Sequence, residues 1–147
     1  MKYPMLVIFD LDGTLANTDH RAHYLERPSK EKDWRGFFAA CDKDEPHHHI
    51  VSTLLALVAA GHEVHIWSGR SDEVRDKTEA WLLRNGLSGI PLRMRSEGDY
   101  TADEVLKRSW LAEASRKPDL IFDDRAKVVA MWREMGIPCC QVAPGEF

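Results

Sequence analysis

Several features that define large classes of protein are scarce in this 147-residue chain or absent from it. There are three cysteines, Cys41, Cys139 and Cys140, and none forms a C-x-x-C pair or lies at zinc-ligand spacing. This disfavours a disulfide scaffold or a zinc module and favours reduced, mostly buried thiols. No apolar run approaches the roughly 20 residues of a transmembrane helix. The opening residues 1–4 lead directly into an apolar run, so we expect no signal peptide.

An excess of positive charge is also lacking, because 20 Lys and Arg residues stand against 24 Asp and Glu residues, a net charge of −4. Proteins that bind long nucleic acids without sequence preference usually present a basic surface, so this class is disfavoured. A small basic pocket for one nucleic acid end is still compatible with this charge. The motif G-x-x-x-x-G-K-[ST] is absent, so we expect no P-loop kinase domain in this chain.

What the chain does contain is a regular alternation of short apolar runs and helical patterns. Strands are predicted at 5–9, 64–67, 91–94, 120–122 and 139–142, and helices at 50–60, 71–85, 101–114 and 126–135. Ser71 is expected to cap the second of these helices, and Thr101 with Glu104 forms a predicted capping box for the third. The alternation predicts an α/β protein with a roughly five-stranded, Rossmann-like parallel sheet flanked by helices.

The long polar segment 17–45 interrupts this alternation. Because a structureless loop of this length is uncommon, we interpret the segment as a small helical cap. The cap is inserted into a core made of 1–16 and 46–147, and 1–147 forms a single domain. The alternative is an excursion with a purely structural role. The segment holds an aromatic patch of Trp34, Phe37 and Phe38. Trp34 or Phe37 could stack on a terminal base, but we favour the core of the cap as the role of these aromatics.

Polar residues cluster immediately after three predicted strands, where ligands bind in open parallel sheets. They are Asp10 and Asp12, Ser68 to Arg70, and Asp123 with Asp124. Attack on a phosphate ester by a carboxylate needs a cation between the negative charges. In the first pair, one aspartate could attack while the other serves as general acid and then as base. Gly13 permits close backbone approach, and Thr14 offers a hydroxyl to phosphate oxygens.

Each of these features also has a purely structural explanation. The first pair could be an acidic surface turn, Ser68 a helix cap, Lys107 a solvated lysine, and Asp123-Asp124 an acidic loop. The same acidic pair offers the oxygen ligands that Mg²⁺ prefers. Because all four features occur together, three of them at strand ends, we favour a catalytic site.

In this order the features resemble the haloacid dehalogenase (HAD) superfamily over essentially the whole chain. The matching residues are Asp10-x-Asp12-Gly13-Thr14, Ser68, Lys107 and Asp123-Asp124. The resemblance implies a HAD core with Asp10 as nucleophile and Asp12 as acid and base. It also implies that Ser68 and Lys107 hold the phosphoryl group.

The same resemblance implies Mg²⁺ as the cofactor. Its ligands would be the Asp10 carboxylate, the Asp12 carbonyl and the acidic pair, with Asp124 in direct contact and Asp123 in support. From the residues alone the roles of Asp123 and Asp124 cannot be separated.

A more specific resemblance is to the 3′-phosphatase domain of bacteriophage polynucleotide kinase-phosphatases. It rests on stretches 68–70, 98–107 and 123–147, whereas the segment 22–40 does not follow that family. It implies substrate contacts from Arg21, Arg70, Arg95 and Asp103, in addition to those expected from Thr14 and Gly69.

We therefore expect a Mg²⁺-dependent phosphatase that removes 3′-phosphates from DNA or RNA ends. A nucleotidase or other small-molecule phosphatase is the alternative enzyme. A non-catalytic module that binds a phosphorylated partner is a third possibility, which the complete set of catalytic residues disfavours. A cytoplasmic location, in the host cell if the protein is phage-encoded, completes these expectations.

Overall fold

The apolar runs of the sequence become a central sheet in the computed structural model, which describes residues 4–147. The strands are β1 (Leu6–Phe9), β2 (Ala16–Asn17), β3 (Glu45–Pro46), β4 (Glu63–Ser71), β5 (Leu92–Arg95), β6 (Leu120–Asp123) and β7 (Cys139–Gln141). The helices are α1 (Trp34–Ala39), α2 (His48–Ala59), α3 (Arg75–Arg84), α4 (Asp103–Glu113) and α5 (Ala126–Glu134). None of the helices in the described range is long and apolar enough to cross a membrane. The expectation for the start of the chain falls largely on residues 1–3, outside this range.

Five strands form one parallel sheet in the order β5-β4-β1-β6-β7. The predicted α/β class and the five-stranded sheet are therefore confirmed. Strand β1 lies in the centre, where its last residue Phe9 pairs with Ile66 of β4 and Phe122 of β6. Because these strands are parallel and in register, the residues that follow them emerge at the same edge of the sheet.

The two faces of the sheet carry separate cores that follow the alternation of side chains along β1. Val7 and Phe9 pack on one side with residues of α2 and α3, including Trp81. Leu6 and Ile8 pack on the other side with residues of α4 and α5. All four residues of β1 are buried, as expected for a central strand covered by helices on both faces.

The segment interpreted as a cap is connected to the core through a short antiparallel ribbon. Strand β2 pairs with β3, with Asn17 opposite Glu45. Between these strands lie α1 and short 3₁₀ turns at Asp19–Tyr24, Ser29–Glu31 and Cys41–Lys43. The segment is thus largely helical, as expected, while its description as a separate cap unit stays a prediction.

Two expectations about helix starts require correction. The capping box of Thr101 and Glu104 was wrong, because α4 begins only at Asp103 and its preceding residue makes no side-chain cap. Thr101 is instead held by Asp99, whose carboxylate accepts both its backbone N–H and its hydroxyl. Ser71 does cap, but what it caps is a 3₁₀ turn, Asp72–Val74, that precedes α3.

Candidate active site

The candidate catalytic residues lie together at the carboxyl ends of three neighbouring strands. Asp10 follows β1, and its backbone N–H donates to the carbonyl of Phe122 in β6. Ser68 lies within β4, which extends further than the sequence pattern predicted. Asp123 ends β6. The sheet therefore brings together residues that are more than 110 positions apart in the chain.

The first half of the site is a buried carboxylate cluster formed by Asp10, Asp123 and Asp124. Each residue offers an oxygen, and these atoms lie within 4.8 Å of one another. Lys107 of α4 donates from Nζ to Asp10 Oδ1 at 2.8 Å and to Asp123 Oδ2 at 3.1 Å. The Thr14 hydroxyl lies 3.3 Å from Asp10 Oδ2 and 3.4 Å from Asp124 Oδ1.

The glycine of the turn after β1 permits this crowding. Gly13 has a φ of +82°, and a Cβ at this position would collide with the Asp124 carboxylate. Any other residue would therefore be strained and would displace an oxygen from the cluster.

Burial raises the pKa of two carboxyl groups of this cluster, those of Asp10 and Asp124. Burial raises the pKa of Asp10 well above its usual range, and the negative charge of Asp123 adds to the effect. Burial also raises the pKa of Asp124 to about 6. Burial alone would lower the pKa of Lys107, but the charges of Asp10 and Asp123 outweigh it and raise that pKa, so the ammonium group stays charged.

These residues fit a divalent cation. Carboxylate oxygens are hard ligands of the kind that Mg²⁺ takes in proteins. Three carboxylates lie together, and among the described residues Lys107 is the one cationic side chain that contacts them directly. A bound cation would favour the ionised form of each carboxylate. The expected contact through the Asp12 carbonyl stays a prediction.

The second half of the site is an arginine cluster around Asp12. Arg21 Nη2 donates to Asp12 Oδ1 at 2.6 Å, and Arg70 Nη2 donates to the same oxygen. Asp44 lies beneath them and accepts from Arg21 Nε at 2.8 Å and from Arg21 Nη2 at 2.7 Å. The remaining donor group of Arg21, Nη1, bonds to the carbonyl of Phe37 at 3.0 Å.

The arginines set the charge of Asp12. Burial disfavours the ionised form, but Arg70 and Arg21 outweigh it and lower the pKa of Asp12 to about 2. Asp12 is therefore a carboxylate at neutral pH, whereas its neighbour Asp10 lies in surroundings that oppose ionisation.

A third group connects the end of β4 to the loop before α4. Arg95 donates to the carbonyl of Gly69 at 2.8 Å and to Asp103 Oδ1 at 2.6 Å. Asp103 also accepts from Arg125 at 3.2 Å. A Cβ at Gly69 would collide with the Asp103 carboxylate, so the loop can pack this closely only against glycine.

A cavity of about 840 Å³ opens over these groups. Of the predicted site residues, its lining includes Asp10, Asp12, Ser68, Gly69, Arg70, Arg95, Asp103, Asp123 and Asp124. Thr14, Arg21 and Lys107 do not line it and are almost completely buried. The structure thus places Arg21 beneath Asp12 and away from the cavity surface, with its guanidinium group fully engaged by protein acceptors.

Sequence reasoning missed Asp44 and Tyr100. Asp44 lies in the polar segment 17–45 and carries no motif, and only folding shows that it is buried against Arg21. Tyr100 lies between the matched positions Gly98 and Asp103 and lines the cavity. The sequence signal that could have indicated Tyr100 is an aromatic residue inside a loop that resembles the phosphatase family.

Solved phosphatases share this fold. The class C acid phosphatase from Bacillus anthracis superposes with a TM-score of 0.63 over 97% of this chain and 70% of its own, at 13% identity, which is a likeness of fold alone. Fold and family comparison together define the class, a HAD-type phosphatase. Within that class, the chain belongs to the polynucleotide kinase PNKP phosphatase domain family, whose model matches residues 4–147.

Two relatives place this domain within longer proteins. A protein of Autographa californica nuclear polyhedrosis virus, assigned as a bifunctional polynucleotide kinase/RNA ligase, is 31% identical over 143 residues. The match covers 93% of this chain and 19% of that protein. A chain in the Pnkp1/Rnl/Hen1 RNA repair complex superposes with a TM-score of 0.81 at 29% identity, covering 99% of this chain and 45% of its own.

Proposed function

We propose that this protein removes 3′-phosphates from polynucleotide ends as a Mg²⁺-dependent phosphomonoesterase, through an aspartyl-phosphate on Asp10. The observation that carries the proposal is the position of the Asp10 carboxylate. It lines the cavity, and it is held by Lys107 beside two further buried carboxylates. The family to which the chain belongs is one of phosphatase domains.

In the first step, the Asp10 carboxylate attacks phosphorus and the bond from phosphorus to the 3′-oxygen breaks. Lys107 orients Asp10 by holding Oδ1, and its charge offsets the negative charge of the incoming phosphate. Mg²⁺, held by Asp10 and Asp124 with support from Asp123, would supply further positive charge beside the phosphate oxygens. Ser68 lines the cavity and would hold a phosphoryl oxygen through its hydroxyl.

The departing 3′-oxygen needs a proton, and we assign its transfer to Asp12. The two arginines keep Asp12 ionised before substrate binds. A bound phosphate brings negative charge beside Asp12, and a like charge raises the pKa of a carboxyl group. Proton uptake by Asp12 is thereby coupled to substrate binding. After donating this proton, Asp12 accepts one from the water that attacks the phosphorus of the phosphoryl-Asp10 intermediate.

In this scheme Arg21 is a positioning residue. It does not line the cavity, and its partners are Asp12, Asp44 and the carbonyl of Phe37. Arg70 holds the same Asp12 oxygen and is almost as buried as Arg21, but it lines the cavity, so of the two arginines it is the nearer to a bound substrate.

Support for a polynucleotide end comes from the relatives and from the shape of the site. One relative is assigned as a polynucleotide kinase/RNA ligase, and another is part of an RNA repair complex. The cavity extends from the carboxylates to cap residues such as Trp34 and to the loop that carries Tyr100. The volume of the cavity, about 840 Å³, would also hold a mononucleotide, which keeps a nucleotidase as the second candidate.

A substrate panel tests the proposal. Phosphate release with Mg²⁺ is measured for a 3′-phosphorylated oligonucleotide, its 5′-phosphorylated counterpart, and 3′- and 5′-mononucleotides. Asp10→Asn, purified in parallel, corrects for contaminating phosphatase. We expect the 3′-phosphorylated oligonucleotide to have the highest kcat/KM. Much faster cleavage of mononucleotides would exclude end processing and support the nucleotidase.

A further inference from the structure

Tyr100 combines an exposed ring with a position in the candidate active site. Its relative exposure is 92%, yet it lines the same cavity as Asp10. Single exposed aromatic residues are common on protein surfaces and by themselves carry no meaning. What distinguishes Tyr100 is the way its backbone is held.

Arg95 bonds to the backbone on both sides of Tyr100. Its Nη1 donates to the carbonyl of Asp99 at 3.1 Å and to the carbonyl of Thr101 at 2.5 Å. Its Nε donates to the carbonyl of Gly69, the residue after Ser68. A single guanidinium group thus fixes the position of Tyr100 relative to the strand end that would hold the phosphate.

The loop also has internal bonds that restrict its conformation. Asp99 Oδ1 accepts from the backbone N–H of Thr101 at 2.9 Å and from its hydroxyl at 2.6 Å. The Asp99 N–H donates to the carbonyl of Ser96 at 3.0 Å. Because these bonds restrain the backbone without a ligand, a contact with the Tyr100 ring costs little backbone entropy.

The stretch that carries Tyr100 is acidic, although Arg125 and Lys127 line the same cavity, and this restricts which part of a polynucleotide it could receive. Glu97, Asp99 and Glu104 belong to the same stretch and line the cavity. Their negative charges repel backbone phosphates. A base is uncharged, has an aromatic face that stacks on tyrosine, and is the group best suited to this position.

We propose that Tyr100 stacks on the base of the nucleotide that carries the 3′-phosphate, and that Arg95 is a positioning residue that holds this stacking surface. The inference rests on the proposed function, because it assumes a nucleotide substrate. It assigns recognition of the terminal base to the loop before α4, separately from the groups that hold the phosphate.

The test compares two 3′-phosphorylated oligonucleotides that differ only in the terminal nucleotide, which is either intact or abasic. We expect Tyr100→Ala to raise the KM for the intact substrate roughly tenfold, the effect of losing one stacked base, with kcat unchanged. The wild-type protein should show a similar rise on the abasic substrate. Tyr100→Ala should then cause no further loss on that substrate.

Two further variants make the result specific. Tyr100→Phe keeps the ring and should retain the wild-type KM. Leu83→Ala removes an exposed apolar side chain of α3 that does not line the cavity, and should change neither constant. Thermal melting confirms that all variants fold.

Each remaining outcome overturns the inference. An unchanged KM in Tyr100→Ala excludes stacking. If Tyr100→Ala raises KM equally on the intact and abasic substrates, Tyr100 contacts a part of the substrate other than the base. If Tyr100→Phe raises KM as much as Tyr100→Ala does, the contact is made by the hydroxyl group. If the wild-type protein cleaves no 3′-phosphorylated oligonucleotide, the proposed function fails as well, a result distinct from failure of Tyr100 alone.

Discussion

The carboxylate cluster and the arginine cluster differ sharply although they begin at two aspartates separated by one residue. Asp10 lies among Asp123, Asp124 and one lysine, and burial raises its pKa. Asp12 is also buried, but the charges of Arg70 and Arg21 overcome this effect and lower its pKa to about 2.

The difference shows that environment gives two identical side chains different charge states before metal and substrate bind. Opposite pKa shifts are typical of pairs in which the two groups have different roles. A bound cation would favour the ionised form of Asp10, and a bound phosphate would favour protonation of Asp12, as the proposed roles require. The carboxylate cluster sets three carboxylates against the single ammonium group of Lys107 among the described residues, which suits the binding of a further cation. In the arginine cluster, Arg21 and Arg70 both donate to one oxygen of Asp12, which suits the positioning of a single carboxylate.

The largest effect is expected from Asp10→Asn, which removes the nucleophile while preserving shape. We expect turnover of every phosphate ester to fall by at least about a thousandfold. Steady-state assays with p-nitrophenyl phosphate and a 3′-phosphorylated oligonucleotide measure the loss. Thermal melting controls for folding. Near-wild-type activity in a folded variant would refute the covalent mechanism.

A smaller loss, on the order of a hundredfold, is expected from Arg21→Ala, because Asp12 would lose one of its two positioning groups. The loss should be similar for p-nitrophenyl phosphate and for the oligonucleotide, since Arg21 does not line the cavity. Removing a positive charge raises the pKa of Asp12, so the limb of the kcat profile that Asp12 controls should move to higher pH.

Arg21 is buried, so its truncation could also destabilise the fold. Asp44→Asn is a more conservative variant, because it removes the negative charge that holds Arg21 while nearly preserving the size of the side chain. We expect a smaller loss in the same direction on both substrates. A loss confined to the oligonucleotide in both variants would instead indicate that Arg21 contacts substrate.

The smallest effect concerns stability in EDTA. In the folded protein the pKa of Asp124 is raised to about 6, whereas its unfolded pKa is about 3.9. Asp124 therefore contributes fully to the free energy of unfolding below about pH 3.9, and this contribution is lost as pH rises through about 6. Asp12 behaves oppositely, and its contribution is lost only as pH falls towards about 2.

Thermal melting between pH 4 and pH 7 tests this difference. Without added metal, Asp124→Asn should melt a few degrees above the wild-type protein at neutral pH, and the gap should close near pH 4. Mg²⁺ should raise the melting temperature of the wild-type protein more than that of the variant. Equal responses to Mg²⁺ would remove Asp124 from the metal site.

The sequence predicted the carboxylate cluster better than the arginine cluster. Asp10 and Asp123 lie at the ends of neighbouring buried strands, so the sheet alone brings them together. Lys107 was indicated by the resemblance to the HAD superfamily. The contacts of Arg21 depend on how segment 17–45 folds. No periodic pattern indicates that Asp44, in that segment, is buried against Arg21.

The loop before α4 illustrates a second limit of the sequence pattern. A threonine followed by a glutamate three residues later matched a capping box, but Thr101 bonds to the Asp99 carboxylate and α4 begins only at Asp103. Local side-chain bonds of this kind compete with helix starts and cannot be ranked from spacing alone.

Trapping the intermediate tests most directly the assignment of different roles to Asp10 and Asp12. The protein is mixed with a 3′-phosphorylated oligonucleotide and Mg²⁺, quenched in acid during turnover, and reduced with borohydride, which converts an aspartyl-phosphate to homoserine. Peptide mass spectrometry then locates the change. We expect homoserine at Asp10, with Asp12 unmodified. Homoserine at Asp12, or phosphate release without any modified aspartate, would contradict the assignment of Asp10 as the nucleophile.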